Sequence, residues 1–111
     1  MPKELKPKFK LWLEYEGKPV IGRGGYVILK VVGEEGSLQK AAQRLRMSYR
    51  YLWGYIRNME KALGVALVER SRGGREKGKA ELTREGRLLL EKYEELERRV
   101  ESLLAREGVS L

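Results

Sequence analysis

The sequence of 111 residues contains no cysteine and no histidine, and all 16 of its acidic side chains are glutamate. These absences exclude disulfide scaffolds, zinc fingers, cysteine nucleophiles and histidine-dependent triads. No apolar run approaches the roughly 18 residues of a membrane-spanning helix, and no signal-peptide core follows the Lys-rich start. We therefore expect a cytoplasmic protein of one domain that is not an enzyme, holds no metal or cofactor and does not bind a membrane.

The charge that is present is unevenly distributed. The formal net charge is +8, and residues 37–79 carry eleven basic and three acidic side chains, so this segment holds the whole excess. Such segregation is typical of a surface that faces nucleic acid or an anionic membrane. The plainer alternative is general solubilising charge.

The N-terminal 21 residues carry the pattern of a β-hairpin. Apolar and charged side chains alternate over residues 9–15, a period of two that predicts a half-buried strand. Residues 17–19 predict a turn, and residues 20–21 a short return strand. We therefore assign residues 1–21 to an N-terminal hairpin.

Residues 22–64 carry the signals of three helices. The apolar segment 26–32 fits either a strand or a helix, and its context favours a helix. Ser37 is a good N-cap for a second helix that ends near Arg46. Ser48 begins a third helix, which Gly64 ends. Two short helices joined by about three residues predict a helix-turn-helix.

Two short strand candidates, residues 66–69 and 79–82, flank a Gly-rich basic loop at 70–78. A hairpin in this place is the wing of a winged helix, so residues 22–83 form the predicted DNA-binding domain. Thr83 caps a last helix that we expect to run from Arg84 to about Glu107. The predicted fold is mostly α with a small β component, a winged helix-turn-helix with a long C-terminal helix in residues 84–111.

The last helix carries a stripe of apolar residues spaced by four and three, which is typical of a helix pair. The residues of this stripe are Leu89, Tyr93, Leu96, Val100 and Leu103. A helix of roughly 24 residues spans about 36 Å and needs a partner to cover the stripe. We expect a homodimer, and the alternative is a helix that folds back on its own domain.

The outward face of the third helix provides the candidates for reading DNA bases. Arg50, Gly54 and Arg57 lie opposite the apolar stripe of this helix, and Ser48 and Tyr49 lie at its start. A mid-helix glycine costs about 1 kcal/mol against alanine, which a helix that presses its backbone into a groove has a reason to accept. A tolerated surface glycine and a merely solvated basic face are the plainer alternatives.

Other polar and basic side chains are candidates for phosphate contacts. They are Ser37, Lys40 and Arg44 at the second helix, and Arg72, Arg75, Lys77 and Lys79 in the wing. Alternatively, Ser37 only caps its helix and the wing is a basic loop without a role.

These motifs together resemble the N-terminal DNA-binding domain of the ModE family of molybdenum-responsive transcription regulators, and much of the pattern is shared with the LysR-type winged helix. The residues that carry the resemblance are Gly36-Ser37, Ala41-Ala42, Leu45, Ser48-Tyr49-Arg50, Trp53, Ile56, Met59, Val68-Glu69-Arg70, Gly73-Gly74, Leu82-Thr83, Gly86 and Leu89-Leu90. The resemblance implies a homodimeric repressor or activator that binds a palindromic operator in double-stranded DNA, with the third helix in the major groove.

The sequence departs from the family in one respect. Full-length ModE proteins carry C-terminal molybdate-binding domains, whereas this sequence ends at Leu111. We therefore expect no molybdate sensing and no small-molecule effector. The rival interpretation is a winged-helix module that binds RNA or another protein.

Overall fold

The computed structural model describes residues 1–71 and 78–111. These residues form four helices and three two-stranded antiparallel sheets. In chain order the elements are β1 (Glu4–Leu5), β2 (Leu13–Tyr15), β3 (Lys18–Ile21), α1 (Arg23–Glu35), α2 (Leu38–Leu45), α3 (Tyr49–Leu63), β4 (Val68–Arg70), β5 (Ala80–Leu82), α4 (Arg84–Leu104) and β6 (Val109–Ser110). The predicted winged helix with a small β component is confirmed.

Three helices begin at the predicted hydroxyl caps. The side chains of Ser37, Ser48 and Thr83 each accept a hydrogen bond from the backbone N–H three residues ahead, at 3.2, 3.0 and 3.0 Å. Each bond satisfies one of the free N–H groups of a first turn. Gly64 ends α3 in the left-handed region, at φ 77°, as its sequence position predicts.

The core lies among α1, α2 and α3. Leu29, Leu38, Leu52 and Ile56 are fully buried there. The helical interpretation of residues 26–32 is therefore right, although α1 begins earlier, at Arg23. Gly25 lies inside α1 because a Cβ there would lie only 2.7 Å from the Met59 sulfur, so the glycine lets α1 and α3 approach closely.

The base of the wing is the pair β4–β5, in which Val68 faces Leu82 and Arg70 faces Ala80. Strand β4 begins two residues later than predicted, and β5 begins one residue later than predicted. Residues 72–77 lie outside the described residues, and with them the wing candidates Arg72, Arg75 and Lys77.

The N-terminal hairpin is present as β2–β3, but its first strand is shorter than predicted. Only residues 13–15 pair with β3, whereas residues 9–12 are not in a strand. The carbonyl of Leu11 instead accepts a hydrogen bond from the Tyr93 hydroxyl on α4, at 2.9 Å. The alternating pattern thus reflects the packing of an extended segment beside a helix as well as strand pairing.

Helix α4 ends at Leu104 rather than near Glu107. The chain then turns back, and β6 pairs with β1. The backbones of Lys3 and Leu111 extend this pairing with two hydrogen bonds of 2.7 and 2.9 Å. Neither two-residue strand has a periodic pattern, so this pairing of the two termini could not be predicted from the sequence.

Candidate nucleic-acid interface

Helix α3 presents one apolar and one polar face, and the polar face is the outer one. Leu52, Ile56 and Met59 are at most 2% exposed, which places this side of α3 against the core. Arg50 and Arg57 lie on the opposite side and are exposed. The predicted division of α3 is therefore present in the structure.

Gly54 lies between these arginines on the exposed face. A Cβ built at this glycine would meet no atom within 4 Å. No close packing within the described residues therefore requires a glycine here, although glycine destabilises a helix interior by about 1 kcal/mol relative to alanine.

The start of α3 is linked to the base of the wing by a cluster of Tyr49, Trp53, Arg57 and Arg70, which we call the aromatic–arginine cluster. Arg70 donates a hydrogen bond from Nη1 to the Tyr49 hydroxyl at 2.8 Å. Its guanidinium lies 4.2 Å from the centre of the Trp53 ring, and that of Arg57 lies 5.6 Å from it. Arginine above an aromatic face is a favourable arrangement, so the cluster holds these side chains together.

Arg70 and the packing of Trp53 are the features of this site that sequence reasoning missed. In the sequence, Arg70 is one of the eleven basic residues of segment 37–79. In the structure, Trp53 is half-buried beneath the two arginines. The sequence signal was the Val68-Glu69-Arg70 motif just before the wing, which carries no information about the direction in which Arg70 points.

Glu60 has a structural role beside this face. Its carboxylate accepts hydrogen bonds from the backbone N–H groups of Leu67 and Val68, at 2.8 and 3.2 Å. These bonds anchor the start of β4 to α3. Arg57 Nε lies 3.9 Å from the other carboxylate oxygen, a long contact that leaves the exposed guanidinium able to bind elsewhere.

The phosphate candidates of α2 fall into two groups. Ser37 caps the helix, and Lys40 in the first turn is exposed. Arg44 instead pairs with Glu34 and Glu35 of α1, at 2.8 and 3.0 Å. The hydrogen bonds to Glu35 and Glu34 raise the pKa of the Arg44 guanidinium.

The expectation that Arg44 follows the DNA backbone with Lys40 stays a prediction, to which the structure adds the two partners of Arg44. The Arg44 side chain is 50% exposed and exposed ion pairs are weak, so a phosphate would compete with Glu34 and Glu35 for this guanidinium. At the base of the wing, Lys79 Nζ lies 3.7 Å from a carboxylate oxygen of Glu81. The backbone of Lys79 forms an isolated antiparallel β-bridge with that of Ser37.

The predicted dimerisation stripe is only partly accessible. Tyr93 is fully buried, stacks on Tyr26 with ring centres 5.1 Å apart, and burial raises the pKa of its hydroxyl. Its inclusion in the stripe is corrected, since an apolar spacing does not distinguish the core of the same chain from a partner. Leu96 and Leu103 are 37% and 72% exposed, whereas Leu89 is half-buried against the core.

A groove lies between residues 6–12 and the C-terminal half of α4. This groove has a volume of about 1030 Å³. Lysines of the N-terminal segment and glutamates of α4, among them Glu97 and Glu101, both line it. It therefore lacks the single sign of charge that the outer face of α3 presents.

None of the helices within residues 1–71 and 78–111 has the length and apolar character needed to cross a membrane.

The sequence matches the family model of bacterial regulatory helix-turn-helix proteins of the lysR family over residues 26–87. The molybdenum transport protein ModE of Azotobacter vinelandii is 35% identical over 79 residues, which are 71% of this chain and 29% of that protein. The resemblance to ModE proteins and to the LysR-type domain is thus confirmed. The chain spans about three tenths of the length of the curated relatives that it matches.

Solved structures show the same fold. The DNA-binding domain of BenM in complex with benA site 1 DNA is 30% identical, with a TM-score of 0.55 over 72% of this chain and 84% of that chain. The DNA-binding domain of CbnR in complex with DNA is 34% identical, with a TM-score of 0.51 over 73% and 80%.

Proposed function

The chain belongs to the lysR family of bacterial regulatory helix-turn-helix proteins, and from this premise we propose that it regulates transcription by binding a palindromic operator in double-stranded DNA as a homodimer. The observation that carries the proposal is the outer face of α3, where Gly54 has open space around it between the exposed Arg50 and Arg57. The family consists of DNA-binding transcription regulators, which are not enzymes. We expect the chain to act in the cytoplasm.

The proposed contact places α3 in the major groove. The guanidinium of Arg50 or Arg57 can bind O6 and N7 of guanine with two hydrogen bonds. Glycine at position 54 lets the helix backbone approach the base edges. Ser48 and Tyr49 would meet the edges at the start of the helix, where recognition helices make their base contacts.

Phosphate contacts would flank this helix. Lys40 is exposed beside the N-terminus of α2, and Ser37 caps that terminus, whose N–H groups favour an anion. The wing would supply Lys79 together with Arg72, Arg75 and Lys77. These contacts would position the protein without reading sequence.

The dimer would form along the accessible part of the α4 stripe, Leu89, Leu96, Val100 and Leu103. Leu103, at 72% exposure, supports this proposal because a monomer leaves it in water. A two-fold axis would bury the same patch on both chains and would set two α3 helices about 34 Å apart, one turn of DNA.

The test is a titration of labelled duplex DNA, structured RNA of matched sequence and heparin at several salt concentrations. If six to ten phosphates are contacted, affinity for duplex DNA should fall on the order of 10³ to 10⁵ between about 50 and 200 mM salt. A flat salt response would contradict DNA binding. Tighter binding to the structured RNA would favour the rival RNA-binding module instead.

A further inference from the structure

The hydrogen bond between Arg70 and Tyr49 determines what the Tyr49 hydroxyl can bind. We infer that Tyr49, held by Arg70 and Trp53, forms a subsite that reads one hydrogen-bond acceptor on a base edge in the major groove. The inference rests on the proposed DNA binding and specifies the direction of one hydrogen bond within it. Tyr49 would be the donor to the base, and Arg70 would be its positioning residue.

The direction follows from the chemistry of arginine. A guanidinium donates hydrogen bonds and cannot accept one. In the 2.8 Å contact the Tyr49 oxygen is therefore the acceptor, and its single hydrogen must point away from Arg70. Tyr49 is 42% exposed in the first turn of α3, so this hydrogen is free to meet a group outside the chain.

The surroundings strengthen this donor. The guanidinium of Arg70 lies 4.2 Å from the centre of the Trp53 ring, which helps to fix it beside the hydroxyl. None of the described carboxylates forms an ion pair with Arg70, so its positive charge is not compensated there. A cation that donates to the oxygen polarises the O–H bond and makes it a better donor.

The proposed ligand is thus an acceptor atom in the major groove. Guanine offers N7 and O6, adenine offers N7 and thymine offers O4, whereas cytosine presents an amino donor there. The subsite should disfavour cytosine at the base position that it meets. The same hydroxyl could reach a phosphate oxygen, but such a contact would carry no sequence preference.

The first experiment compares Tyr49→Phe with Tyr51→Phe. The second variant is the matched control, because it also removes a hydroxyl from an exposed tyrosine of α3, and Tyr51 is 59% exposed. The probes are a duplex that the wild-type chain selects from a random pool and a scrambled duplex of equal composition. Tyr49→Phe should lower the affinity ratio of selected to scrambled DNA by about fivefold, and Tyr51→Phe should leave it unchanged. Equal loss on both duplexes would indicate a phosphate contact and overturn the inference.

The second experiment locates the acceptor. Analogues that each lack one acceptor are placed singly in the selected duplex: 7-deazapurines for N7, 2-aminopurine for guanine O6, and 5-methyl-2-pyrimidinone for thymine O4. One position in each half-site should weaken wild-type binding by about fivefold and have no effect on the Tyr49→Phe protein. If no position shows this coupling, the subsite does not exist.

The positioning role of Arg70 is tested with Arg70→Lys, which keeps the positive charge and loses the planar guanidinium with its several N–H donors. Its loss of selectivity should not add to that of Tyr49→Phe, whereas additive losses would show that Arg70 acts separately. In a Trp12→Phe background, which leaves Trp53 as the single tryptophan, the substitution should also shift the fluorescence without DNA. If the wild type binds no duplex, the proposed function fails; if binding and selectivity persist in Tyr49→Phe, only the subsite fails.

Discussion

Two glycines inside helices, Gly54 of α3 and Gly86 of α4, lie in opposite environments. A Cβ at Gly54 would meet nothing within 4 Å, whereas a Cβ at Gly86 would strike the carbonyl oxygen of Leu67. Gly86 is required because the first turn of α4 lies directly against the chain before β4. The free chain offers no such reason for Gly54; under the proposed function, the glycine lets the backbone of α3 approach DNA.

The difference extends to the surroundings of each glycine. Beside Gly86, Leu67 is fully buried and Thr83 is 8% exposed. Beside Gly54 the arginines are exposed. Substitutions near α4 should therefore change stability, and substitutions on the outer face of α3 should change binding.

The largest effect is expected from Gly86→Ala. The added methyl group would overlap backbone atoms of Leu67, which have no rotamer to change, and should destabilise the fold by about 3 kcal/mol. Urea denaturation followed by circular dichroism measures the change in the free energy of unfolding. A loss below about 0.5 kcal/mol would show that α4 does not lie against this backbone.

The next largest effect is expected from substitutions that distinguish the side of α4 that packs on the core from the side that would contact the partner. Leu96→Lys with Leu103→Lys should weaken dimerisation by on the order of 2 to 3 kcal/mol, because two apolar side chains would lose their burial. Sedimentation equilibrium measures the association, and Leu88→Lys, another exposed leucine of α4 (49%), is the control. An unchanged dimer would mean that this stripe is not the interface.

Point substitutions are needed for this test, since truncating α4 after Leu90 would remove the buried Tyr93 and unfold the core.

A smaller effect is expected from Arg50→Ala. Loss of a two-bond contact to guanine should reduce discrimination between a selected and a scrambled duplex by about 1 to 3 kcal/mol. Lys40→Ala should weaken both duplexes by similar factors, because a phosphate contact carries no sequence information. The roles assigned to α2 and α3 would be wrong if the two variants behaved alike in a competition assay.

Much of the fold could be predicted because its signals are local. A hydroxyl at 37, 48 and 83 marks the starts of α2, α3 and α4, and the spacing of Leu52, Ile56 and Met59 determines which side of α3 is buried. The outer face, with Gly54, follows from the same spacing. These features depend on residues within one or two turns of each other.

The features that escaped prediction depend on how distant elements meet. Arg44 pairs with Glu34 and Glu35 only because α1 packs beside α2. The stripe of α4 contains Tyr93. The spacing of apolar residues along α4 does not show that Tyr26 and Leu11 of the same chain cover this side chain. The bond from Arg70 to Tyr49 joins residues 21 positions apart and requires the wing base to fold against α3.

The most direct test of the account is a pair of measurements on Gly54→Ala. The substitution should stabilise the free chain by about 1 kcal/mol, because alanine favours a helix and the added methyl group meets no atom. It should also weaken binding to the selected duplex by about tenfold, or ~1.4 kcal/mol, because the methyl group separates α3 from the groove. The control Ser102→Ala, at an exposed position of α4, should stabilise by about 0.5 kcal/mol without changing DNA affinity. A Gly54→Ala protein that is more stable and binds the selected duplex as tightly as the wild type would contradict the claim that the outer face of α3 enters the DNA.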